Sequence, residues 1–139
     1  MKFAACAVST LALWAATVYA EGAPQPLDGM PGDPALGKVV FLDRERGHCL
    51  LCHQVRQLDA PFQGTIGPDL SDVGNRLTAA QIRARVVDPT RQNPHAVMPP
   101  YHRTHDLRQV AQAIAGQPIL TAREIEHVVS FVVSLRDTR

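Results

Sequence analysis

Apolar residues recur at three- and four-residue spacing in several stretches of this chain, and none alternates with period two over a convincing length. The clearest stripe is Ile125, Val128, Val129 and Val132, spaced i, i+3, i+4 and i+7. Thr121-Ala122-Arg123-Glu124 precedes it as a capping box, with Leu120 and Ile125 placed as a hydrophobic staple. Thr78-Ala79-Ala80-Gln81 repeats the device between Leu77 and Ile82, and predicts a helix that passes Val86 and stops at Asp88-Pro89. Asp33-Pro34 opens an earlier helix, a side-chain acceptor followed by a proline whose missing N–H costs nothing there. Its apolar stripe reads Leu36, Val39, Val40 and Leu42, with Gly47 as the stop. A shorter helix is predicted from Asp106 through Leu107, Val110, Ala111 and Ile114 to Gly116. The pattern is all-α.

Long loops fall at 54–76 and 89–105, and loops of that length usually wrap something. Residues 21–33, EGAPQPLDGMPGD, are rich in proline and glycine and read as an extended arm. The chain thus divides into residues 1–20, the arm at 21–33, and one domain at 34–139. Residues 1–20 have the three parts of a cleaved secretory signal: Met1-Lys2, an uncharged run from Phe3 to Val18, and Val18-Tyr19-Ala20 before polar Glu21-Gly22. The competing reading is an uncleaved anchor, since about eighteen apolar residues could just span a bilayer. Ser9, Thr10 and Thr17 weaken that span.

Cleavage removes Lys2 and Cys6. The remaining chain carries 13 basic and 13 acidic residues, which implies neither a nucleic-acid footprint nor a basic face for membranes. Two cysteines then remain, Cys49 and Cys52, in GHCLLCHQV. An exported domain normally uses its cysteines in long-range disulfides, but a pair this close closes too short a loop to staple a fold.

Three uses fit a C-x-x-C. Structural zinc wants four ligands, and the other histidine pair, His102 and His105, lacks the usual spacing. A thioredoxin-like dithiol belongs in a βαβ unit, for which no strands are visible. C-x-x-C-H is the attachment signature of c-type haem: two thiols add across the vinyl groups, and the adjacent histidine meets the iron. On that reading Cys49 and Cys52 tether the ring and His53 is the proximal ligand. Met98, in NPHAVMPPYHR, is the candidate sixth ligand, because Pro99 restricts it to extended backbone and stiffens the loop. His95, His102 and His105 flank the same loop and compete for that role, and the remaining alternative is that Met98 only fills a gap in the core. A rigid turn at Gly67-Pro68-Asp69-Leu70 could offer a carbonyl to the second ring nitrogen of His53, or be a turn and nothing more.

Gly37-x-x-x-Phe41, the C-x-x-C-H, Gly67-Pro68-x-Leu70 and a loop methionine before proline together resemble class I cytochrome c. GKVVFLDRERGHCLLCH, IGPDLSDVGNR, NPHAVMPPYHR and GQPILTAREIEHVVSFV resemble, more narrowly, the SoxX family of sulfur-oxidation cytochromes, over about residues 35–135. The resemblance implies about four to five helices around one covalent haem c. It makes Cys49 and Cys52 the anchors, His53 and Met98 the axial iron ligands, and Pro68 and Leu70 part of the haem site. It implies a periplasmic heterodimer with a SoxA-like subunit of one or two haems. That complex acts as an L-cysteine S-thiosulfotransferase: it couples thiosulfate to a cysteine of a SoxYZ-like carrier and passes electrons to a downstream soluble cytochrome. Within it this chain is the electron-transfer subunit and not catalytic alone. The alternatives are a free-standing electron shuttle, or a haem enzyme or gas sensor with an open iron position, against which Met98 argues.

Overall fold

The computed structural model describes residues 24–137, so residues 1–20, expected from the sequence to be a cleaved signal, and the first residues of the expected arm lie outside the described residues. Four α-helices form there: α1 (Pro34–Leu42), α2 (Val73–Arg76), α3 (Ala79–Val87) and α4 (Ala122–Ser134). Single 3₁₀ turns lie at Cys49–Leu51, Pro89–Arg91 and Gln112–Ile114, and no strand occurs among the described residues. The fold is all-α.

Helix α4 is the axis of the molecule, with α1, α2 and α3 all packed on it. Both capping boxes form, Thr78 with Gln81 and Thr121 with Glu124. Ile125, Val128, Val129 and Val132 are buried as their spacing predicts, and Leu120 joins them from the staple position. Phe131 is buried too, edge-on to Phe41 of α1 with ring centroids 5.2 Å apart.

Helix α1 corrects the sequence reading in two ways. It ends at Leu42, where the Asp43 N–H donates to the carbonyls of Val39 and Val40. A separate turn then carries the chain to Gly47. Its buried face is Gly37, Val40 and Phe41, while Leu36 and Val39 stay 51% and 59% exposed. Gly37 selects that face: a Cβ there would lie 1.9 Å from the His127 carbonyl oxygen, so α1 approaches the α4 backbone only on its glycine side.

The predicted Asp106–Gly116 helix does not form. Asp106 and Gln109 have φ of 53° and 57°, and only Gln112–Ile114 makes a turn. Val110 and Ile114 of the expected stripe are 37% and 56% exposed. A short helix is marginal by itself, and this one finds no surface on which to bury its stripe.

The arm lies along α4. The Leu27 N–H donates to Glu126 Oε1 at 3.0 Å, the Asp33 N–H to His127 Nδ1 at 2.8 Å, and Arg123 to the Pro31 carbonyl at 2.6 Å. Glu126 and Arg83 are 1% and 5% exposed at their side chains and form a bidentate pair, with both contacts at 2.7 Å. No periodicity argument picks out that pair.

Candidate functional site

After the turn at 43–47, His48 takes a left-handed conformation (φ 45°), rare for a residue with a side chain. It redirects the chain into the Cys49–Leu51 turn. The Cys52 N–H at 3.2 Å and the His53 N–H at 2.9 Å both donate to the Cys49 carbonyl. One tight turn therefore sets both thiols and the imidazole of His53 on a common wall.

The loop 54–76 folds back on this wall. The Gly64 N–H donates to Leu50 O and the Gly67 N–H to Cys52 O, at 2.8 and 2.7 Å. His53 Nδ1 lies 2.8 Å from the Pro68 carbonyl oxygen. A carbonyl only accepts, so Nδ1 carries the proton and the Nε2 lone pair is free for a metal. A Cβ on Gly67 would stand 2.4 Å from His53 Cε1, so the glycine leaves room for the ring.

The wall faces a cavity of about 880 Å³, closed on other sides by α3, α4 and the loop that carries Met98. Cys49, Cys52, His53, Pro68, Leu70 and Met98 all line it, although His53 and Met98 stand 45 positions apart. Of the three competing histidines, His95 lines the cavity, while His102 and His105 do not. His102 instead donates from Nδ1 to the Leu120 carbonyl at 2.9 Å. Tyr101, quoted in the sequence motif without a role, is buried; its hydroxyl donates to the Gly47 carbonyl at 2.7 Å and ties the Met98 loop to the cysteine turn. Burial raises the Tyr101 phenol, helped by the neighbouring cysteines.

Burial also pushes the Cys49 thiol up to about 12. A redox thiol reacts as the thiolate and needs its pKa lowered, so the setting of Cys49 does not suit that use. No group of three or more His, Cys, Asp or Glu side chains able to hold a metal occurs among the described residues. The residues fit a covalently held porphyrin instead: two thiols on one turn, an imidazole with one nitrogen free, a glycine making space, and a large, mainly apolar cavity.

Residues 34–136 match the family described as Cytochrome c. The chain belongs to the cytochrome c family. The group that such a protein carries is haem c with its iron, and Cys49 and Cys52 stand in the attachment motif. This cytochrome c is also similar to a chain in the crystal structure of SoxXA from P. pantotrophus. The two are 35% identical with a TM-score of 0.77, and the match covers 86% of this chain and 94% of that one. That likeness makes it a SoxX-like cytochrome c. The c-type cytochrome SorU from Sinorhizobium meliloti is 28% identical with a TM-score of 0.48, covering 74% of this chain and 90% of that one. No curated protein matches the sequence. No helix among the described residues of this cytochrome c is long and apolar enough to cross a membrane.

Proposed function

We propose that this cytochrome c is the electron-transfer subunit of a SoxXA-type complex that couples thiosulfate oxidatively to a cysteine thiol of a SoxYZ-like carrier protein in the periplasm. The observation that carries the reading is the 35% identity to a SoxXA chain over nearly the full length of both. Joining thiosulfate to a thiol forms one S–S bond and releases one proton and two electrons, which must leave the catalytic subunit. Haem c supplies a one-electron iron couple suited to that traffic.

The chain's own residues hold and tune the couple. Cys49 and Cys52 would form the thioether anchors, and His53 would present Nε2 to the iron, with its tautomer and orientation fixed by the Pro68 carbonyl. Met98 would offer its thioether to the iron, from a loop stiffened by Pro99 and Pro100 and pinned through Tyr101. A thioether favours the reduced iron and so raises the potential. With Cys49 and Cys52 committed to anchoring, no third cysteine among residues 21–139 offers a thiolate to thiosulfate. Catalysis therefore belongs to the partner, and this chain relays electrons from a SoxA-like subunit to a soluble cytochrome.

The test is reconstitution. Mixed with its SoxA-like partner and a SoxYZ-like acceptor, the oxidised protein should be reduced when thiosulfate is added; alone it should not be. Absence of reduction in the complete mixture, or thiosulfate coupling by the isolated chain, would overturn the proposal. Failure to co-purify with a second haem-bearing chain would favour a free-standing shuttle.

A further inference from the structure

Three arginines line the cavity, Arg46, Arg76 and Arg85, and among the described residues no aspartate or glutamate does. A one-sided set of cations on a mainly apolar wall suits a ligand that brings its own negative charge, because opposite charges attract and none of that charge is supplied by the wall itself. Two of the three are already matched within the chain. Arg46 bonds Asp43 at 2.8 Å and also Glu124, and Arg76 bonds Asp72 at 2.9 Å.

Arg85 differs. It stands in the last turn of α3, its guanidinium donates to the Gln81 carbonyl at 2.8 Å, and no carboxylate among the described residues lies within 4.0 Å of it. Asn93 lines the same cavity from the turn that follows α3. The His95 N–H already occupies Asn93 Oδ1, at 3.0 Å, so the free end of that amide is a donor. Segment 85–93 thus adds an uncompensated cation and an amide donor to the cavity wall, with no matching acceptor charge.

The porphyrin of haem c carries two carboxylates on the edge away from its thioether carbons. We propose that Arg85, assisted by Asn93, binds those carboxylates. The inference rests on the haem c assignment and not on the SoxXA-type reading or on Met98 as ligand. A guanidinium presents a planar fork of donors that matches a carboxylate and makes a charge-assisted bond with it, here at the solvent-exposed rim where Arg85 stands. Its second consequence is electronic. A fixed positive charge beside the ring favours the iron state that has gained an electron, so Arg85 holds the reduction potential up.

The experiment uses the mature holoprotein and two readouts that do not depend on activity: the propionate bending band in resonance Raman spectra, and the midpoint potential. Arg85→Gln should shift the band to lower frequency and lower the potential. Arg85→Lys keeps the charge but loses the fork; it should still shift the band while holding the potential near the parent value. Arg91→Gln is the control, since Arg91 is exposed and does not line the cavity; neither readout should move. An unshifted band in Arg85→Gln overturns the proposal, even if the potential falls, because contact would then be absent. If Arg85→Gln yields no holoprotein, Arg85→Lys decides alone: an unshifted band overturns the proposal and a shifted band supports it.

Discussion

His53 Nδ1 lies 2.8 Å from the carbonyl oxygen of Pro68, and the glycine just before that proline is the one residue type that leaves the imidazole its space. Gly67→Ala tests both halves of the arrangement. Its Cβ would stand 2.4 Å from Cε1 and 2.6 Å from Nδ1, inside any normal contact. The ring or the turn must move, at about 1–3 kcal/mol for such overpacking. Optical and magnetic spectra of the Gly67→Ala holoprotein should show weakened or mixed axial ligation, and thermal unfolding should start at lower temperature. Spectra and stability identical to the parent would refute this account of Gly67.

Met98→Ala separates the proposed sixth ligand from its competitors. The near-infrared band of a sulfur–iron bond should be present in the oxidised parent and vanish in the variant, with a fall in midpoint potential. His95→Ala should leave the band intact. A parent protein without the band would point to His95, the only one of the three competing histidines that lines the cavity.

Arg83 and Glu126 test the buried ion pair. Either substitution breaks the bidentate pair inside the protein, so Arg83→Met or Glu126→Gln should each cost about 3–5 kcal/mol in urea unfolding. Glu126 also accepts the Leu27 N–H, so its loss should release the arm from α4 as well. Faster proteolytic cleavage within residues 24–33 would report that release. A cost under about 1 kcal/mol for both variants would mean that the pair does not support the core.

Glu124 links the cap of α4 to Arg46. Burial alone would raise its carboxyl, but the Thr121 N–H and hydroxyl, together with Arg46, outweigh that and hold it below the usual carboxylate range. A folded pKa lowered in this way stabilises the protein at pH values above the unfolded pKa. That contribution disappears as pH falls through the lowered folded value. Glu124→Gln should therefore cost about 0.5–1 kcal/mol at neutral pH, and the variant and parent should converge in acid. A pH-independent gap in unfolding free energy would contradict the assignment.

Much of this protein follows from local rules that the sequence alone determines. Thr78 and Thr121 start helices because their side chains satisfy orphan N–H groups a few residues away, and those partners are legible in the chain. The stripe on α4 is buried as its spacing demands, since three neighbouring helices pack on it. The attachment motif is equally local, because one turn is enough to place two thiols and an imidazole. Tertiary structure decided everything that depends on which surface meets which. Leu36 and Val39 share the apolar stripe with Val40, but only the glycine side of α1 can reach the α4 backbone. The stripe from Leu107 to Ile114 has helical spacing and no helix, and its Val110 and Ile114 stay exposed. The Arg83–Glu126 pair joins residues 43 positions apart, and the contact from Tyr101 to Gly47 spans 54. Spacing along a chain carries no information about such meetings; chain packing creates them, and with them the cavity that brings Met98 to the same space as His53.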